Sequence, residues 1–128
     1  MKKIAYILLV AISFILPACS TCNLSHMNQI KEIQFGYSGG FANKQVTYAL
    51  NYKGEVRHEG KIIRKISCDD VERIFNIASS IEASVNEPDN VCWFIDIKGK
   101  VNRKWTWGGQ TKVDKKILEL YNELNNLK

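Results

Sequence analysis

The sequence predicts an α+β domain: an antiparallel sheet of about five strands with two helices packed on one face, in the order β-ββα-ββα. Three observations predict it. Apolar and polar residues alternate with a period of two in several short runs, apolar residues recur at helical spacing in two longer ones, and glycine-containing turns separate the runs at hairpin distances. The 128 residues, 45% hydrophobic and 24% charged, are enough for one hydrophobic core and too few for two. Two prolines and eight glycines exclude collagenous or low-complexity character, and the apolar content is sufficient to offset the entropy of ordering.

The first strand is read from Ile33, Phe35 and Tyr37, which alternate with polar residues before Ser38-Gly39-Gly40 breaks the run. Val46, Tyr48, Leu50 and Tyr52 alternate again. Lys53-Gly54-Glu55 then turns, and a run from Val56 to Ile66 completes a hairpin. Ser67, with Asp70 three residues on, resembles a capping box, and Val71, Ile74, Phe75, Ala78 and Ile81 follow on one helical face. After a loop at Asn86-Glu87-Pro88-Asp89-Asn90 comes a second hairpin: Val91, Trp93, Ile95 and Ile97, a turn at Lys98-Gly99-Lys100, then Val101, Arg103, Trp105 and Trp107. Thr111 with Asp114 marks a second cap, and Val113, Ile117, Leu120, Tyr121, Leu124 and Leu127 form the second amphipathic stripe. Three-residue turns would set Tyr52 opposite Val56, Ile97 opposite Val101, Trp93 opposite Trp105 and Val91 opposite Trp107, with the apolar faces in agreement in both hairpins.

The chain begins with Met1-Lys2-Lys3, followed from Ile4 to Leu16 by thirteen residues that are apolar apart from Ser13, a secretory signal pattern. As a helix this stretch would rise about 20 Å, short of the roughly 30 Å of a bilayer's hydrocarbon. It ends in Leu16-Pro17-Ala18-Cys19, which resembles the bacterial lipobox. The resemblance implies cleavage before Cys19, diacylglycerol on its sulfur and a further fatty acyl chain, such as palmitate, on its amine. Two or more chains suffice for stable anchoring. The expected organisation is therefore a signal peptide at 1–18, a lipidated tether at 19–28 and a single globular domain at 29–128. Ser20 stands where an aspartate would resemble an inner-membrane retention signal, so the expected location is the cell envelope, at the outer membrane. Loss of Lys2 and Lys3 leaves 16 basic against 13 acidic residues, a net charge of +3, and no basic stripe indicates a nucleic-acid partner.

The residues that bear chemistry do not assemble into a catalytic or metal motif. His58-Glu59 begins like a zinc-binding H-E-x-x-H, but position 62 is isoleucine and Gly60 interrupts the helix such a site needs. No nucleophile elbow, P-loop or dinucleotide fingerprint occurs, and the acidic group Asp69, Asp70 and Glu72 sits at a helix start, where it complements the dipole. No enzyme activity, metal or cofactor is expected. Of the four cysteines, Cys19 is assigned to lipid and Cys22 to the tether. Cys68 and Cys92 remain as candidates for a disulfide in an oxidising envelope, the alternative being two independent buried thiols.

The least ordinary segment is Ser38-Gly39-Gly40-Phe41-Ala42-Asn43, in which two glycines that permit unusual backbone angles precede a large ring. Either the glycines make a turn and Phe41 folds back to cap the sheet, or Phe41 is exposed and anchors a partner. Phe35-Gly36-Tyr37-Ser38-Gly39-Gly40-Phe41-Ala42 resembles the emfourin family of proteinaceous inhibitors of thermolysin-like metalloproteases, whose Ser-Gly-Gly-Phe-Ala-Gly segment follows a first strand; this chain departs at Asn43. The resemblance implies a membrane-anchored inhibitor whose partner is a secreted or envelope metalloprotease and whose contact surface includes Ser38 to Asn43. The competing expectation is a non-inhibitory envelope module that binds glycan or another surface protein. Its platform would be Arg103, Trp105 and Trp107, which share one strand face and otherwise line the core.

Overall fold

A computed structural model describes Cys22 and residues 29–128. The signal segment and Cys19 lie outside the described residues. The elements are β1 (Ile30–Gly39), β2 (Lys44–Asn51), β3 (Glu55–His58), β4 (Lys61–Lys65), α1 (Cys68–Ser80), β5 (Asn86–Glu87), β6 (Val91–Gly99), β7 (Arg103–Gly108) and α2 (Lys115–Asn125). The fold is α+β, with both helices contributing to one core: Val71, Ile74, Phe75 and Ala78 of α1 and Ile117, Leu120 and Leu124 of α2 meet Ile33, Phe35, Leu50, Val56, Ile95, Ile97, Trp105 and Trp107 of the sheet.

The sheet has seven strands among the described residues, in the order β4-β3-β2-β1-β6-β7-β5, rather than about five. The two additional strands have separate causes. The run expected from Val56 to Ile66 is folded in half at Glu59-Gly60, both at positive φ (50° and 77°), which converts it into the β3–β4 hairpin. Asn86-Glu87, read as loop, pairs with Thr106 and Trp107 in parallel, so the sheet is not wholly antiparallel. β1 lies at the centre, paired with β2 on one side and β6 on the other.

Both hairpins keep the expected faces but not the expected partners. Leu50 pairs with Val56 and Tyr48 with His58, because the first turn sits one residue earlier than expected, at Tyr52–Gly54. The side-chain carbonyl of Asn51 accepts from the backbone N–H groups of Lys53 and Glu55, each at 3.0 Å, and fixes the turn there. In the second hairpin Ile97 pairs with Arg103, Ile95 with Trp105 and Trp93 with Trp107. The turn is longer, and the side-chain carbonyl of Asn102 accepts from the N–H of Gly99 at 3.1 Å. Each displacement moves partners by two residues, so the side chains keep to the same face of the sheet.

Ser67 caps α1 as expected: its Oγ accepts from Asp70 N at 3.2 Å and donates to the Asp70 carboxylate at 2.9 Å. That hydroxyl, and then Arg73, hold the Asp70 carboxyl below its ordinary range. The second cap differs. Asp114, not Thr111, opens α2 by accepting from Lys116 N at 2.9 Å, while Thr111 Oγ1 accepts from Gly108 N at 3.2 Å and closes the preceding turn.

Candidate functional site

The segment singled out in the sequence is an exposed loop braced at its base. Ser38 and Gly39 end β1, opposite Gln45 and Lys44 of β2, and residues 40 to 43 make the turn between them. Gly39 has φ +108° and runs so close to the strand beside it that a Cβ would lie 1.8 Å from the Asn90 carbonyl oxygen. Only glycine fits there. The next amide, Gly40 N–H, donates to that same carbonyl at 2.9 Å, and Asn43 N–H donates to Gly40 O at 3.0 Å. Asn43 adopts left-handed φ of 46°, a conformation asparagine tolerates better than most residues.

The backbone is therefore held from two sides, and the side chain it presents has nothing to pack on. Phe41 is fully exposed at 115% of its reference accessibility, and Ala42 beside it is exposed too. Of the two readings of Phe41, the fold-back onto the sheet end is the one this geometry removes. A shallow recess follows the loop, lined by Ser38, Gly39, Gly40, Phe41, Asn43, Asp89 and Asn90. Beside the loop, register places Tyr37 opposite both Val46 and Trp93, and Gly39 opposite Val91, which groups these side chains at one end of one sheet face. Tyr37 and Val91 are exposed, and Trp93 is half-buried. The sequence reading assigned Val91 and Trp93 to an inward face and missed them as surface. Their alternation was visible; the point at which helical cover ends was not.

The alternative platform does not form. Trp105 and Trp107 are 1% and 5% exposed and belong to the core under the helices. Trp105 Nε1 donates to Ala83 O at 2.9 Å, and Trp107 meets the Tyr121 ring edge-on at 5.3 Å. The Arg103 guanidinium stacks 4.9 Å from the Trp105 ring and donates to the carbonyls of Ile81 and Ala83. Arg103 thus fastens the segment after α1 to β7 and presents no binding face.

The disulfide is also different from the pair proposed. Cys68 is bonded to Cys22, with 5.3 Å between the Cα atoms, and Cys92 is a free, buried thiol. Topology gives the reason. Cys68 opens α1 next to the β2–β3 turn, where Ile66 N–H donates to Gly54 O at 2.8 Å. Cys92 lies at the other end of the sheet, paired with Ser38 and Gly108, with its Sγ 3.2 Å from Ser38 Oγ. The thiol supports the base of the loop.

Among the described residues no group of three or more His, Cys, Asp or Glu side chains could hold a metal ion, and no helix is long and apolar enough to cross a membrane. The arrangement offers an exposed loop with a preformed backbone as a contact surface. No protein-family model, curated protein or solved structure matches the chain.

Proposed function

We propose that this chain is a lipid-anchored envelope protein, attached through Cys19, whose domain binds a protein partner through Ser38, Gly39, Gly40, Phe41, Ala42 and Asn43, and that the partner is a thermolysin-like metalloprotease which it inhibits. The observation that carries the reading is the full exposure of Phe41 on a loop whose backbone is already fixed at Gly39, Gly40 and Asn43. A partner that accepts this ring has little backbone ordering left to impose, where fixing the backbone of one residue ordinarily costs about 1–2 kcal/mol. Exposed Tyr37 and Val91 extend the same surface with apolar area. Aromatic residues such as Phe and Tyr are enriched at the centres of protein interfaces. The glycan-binding alternative loses its support, since the tryptophans proposed for it are in the core.

The test is inhibition of thermolysin by the purified protein, compared with its Phe41→Ala variant. Inhibition at micromolar concentration or below is expected for the parent, with a loss of at least tenfold for the variant, the size of a hot-spot truncation above about 1.4 kcal/mol. No inhibition by the parent removes the protease reading, and equal inhibition by both proteins removes the loop from it.

A further inference from the structure

The domain has two ends, and the features that would bear on a membrane collect at one of them. β1 and β2 run between the Ser38–Asn43 loop and the β2–β3 turn at Tyr52–Gly54. The second turn, Lys98 to Asn102, lies at the Tyr52–Gly54 end, since Gly99 pairs with Ile30 and Lys100 N–H donates to Gln29 O at 3.0 Å. Cys68 is at this end as well, through the Ile66 to Gly54 hydrogen bond, and it holds Cys22. Cys22 is three positions beyond Cys19, a covalent reach of at most about 11 Å. Counted instead to Ile30, where β1 begins, the reach would be about 40 Å. The bond to Cys68 turns what the sequence presents as a long tether into a short strap.

The geometry points to this end, bearing the turns Tyr52–Gly54 and Lys98–Asn102, as a bilayer-facing surface that seats on lipid headgroups and directs the Phe41 loop away from the membrane. The inference rests on acylation of Cys19. The chemistry of the end agrees with that occupant. Lys31, Lys53, Lys65 and Lys100 are exposed there and take part in none of the ion pairs among the described residues. Of the acidic residues nearby, Glu55 is paired with Arg57, Asp70 with Arg73 and Asp96 with Lys98, while Glu32, which accepts from Gln34, and Asp69 and Glu72 at the start of α1 have no cation among the described residues. Between the lysines stand two exposed apolar side chains, Val101 and Tyr52, each at the tip of a turn. Lysines interleaved with an apolar tip and a tyrosine suit the anionic, amphipathic headgroup layer of a bilayer. The loop at the far end is separated from this surface by the length of β2, eight residues at about 3.4 Å each.

The experiment uses protein extracted from membranes with its own anchor, reconstituted in anionic nanodiscs that contain lipids with a paramagnetic chelate on the headgroup. Intact mass first reads the acylation of Cys19. Broadening of backbone amide resonances then reads distance from the bilayer. Amides of Tyr52–Gly54 and Lys98–Val101 are expected to broaden at least about tenfold more than those of Gly40–Asn43, given a separation of about 27 Å along β2. A Cys22→Ser variant that retains the amide pattern of the fold is expected to lose most of this gradient. An unacylated Cys19 overturns the anchor and this orientation together. An acylated protein with equal broadening at both ends, or stronger broadening at Gly40–Asn43, overturns the orientation alone. A Cys22→Ser variant with an undiminished gradient removes the strap as its cause, and if that variant does not fold, the gradient in the parent protein decides.

Discussion

Phe41, in a turn between two strands, and Trp105, within β7, are both large aromatic residues, and they have opposite fates. Trp105 occupies a strand whose inward positions face two helices, its ring is almost wholly removed from water, and its one polar atom is satisfied by Ala83 O. Phe41 occupies a turn whose backbone is fixed by Asn90 on the neighbouring connection, so its ring is held out in solvent. The difference teaches that burial here follows from what lies opposite a residue. Hydrophobicity alone would have put both rings inside.

Substitutions at these places sharpen the contrast. The largest loss is expected for Trp105→Ala, about 3–5 kcal/mol in chemical denaturation, because it empties the centre of the core and leaves the Ala83 carbonyl with only the longer bond from Arg103. Next is Cys22→Ser, expected to cost about 2–4 kcal/mol since the bond to Cys68 closes a loop across a sequence separation of 46 residues; comparing melts with and without reductant reads it in the parent protein. Asp114→Ala removes the cap of α2 and is expected to cost about 1 kcal/mol, whereas Thr111→Ala leaves that cap in place. The smallest effect belongs to Phe41→Ala, within about 0.5 kcal/mol, as for a side chain with no packing to lose. If Phe41→Ala destabilised the fold as Trp105→Ala does, the exposed placement of the ring would be wrong.

Much of the fold could be read from one sequence because its signals are local and repeated. Alternation in Ile33, Phe35, Ile95 and Ile97 and the helical stripe Ile117, Leu120, Leu124 correspond directly to buried positions. What could not be read depends on single polar side chains or on distant parts of the chain. The turn positions were set by Asn51 and Asn102, each hydrogen-bonding backbone within four residues, which hydrophobic periodicity does not report. The division into β3 and β4 depended on Glu59 entering left-handed space ahead of Gly60. The disulfide depended on which cysteine lies at which end of the sheet, a property of topology that spacing along the chain does not carry. The loop itself was legible as Ser38 to Asn43. Its apolar surroundings were not, because Val91 and Trp93 join it only through the pairing of β1 with β6.

The Gly40 amide is bound to Asn90 O, which belongs to the connection leading into β6, in the second half of the chain. To let go of that carbonyl, the tip must part from the connection into β6, a strand that is itself paired to the central one. Hydrogen exchange at Gly40 should therefore be slower than in a surface turn that has no such bond. The tip is tied to both halves of the chain, so a target meets a loop already shaped by the fold beneath it.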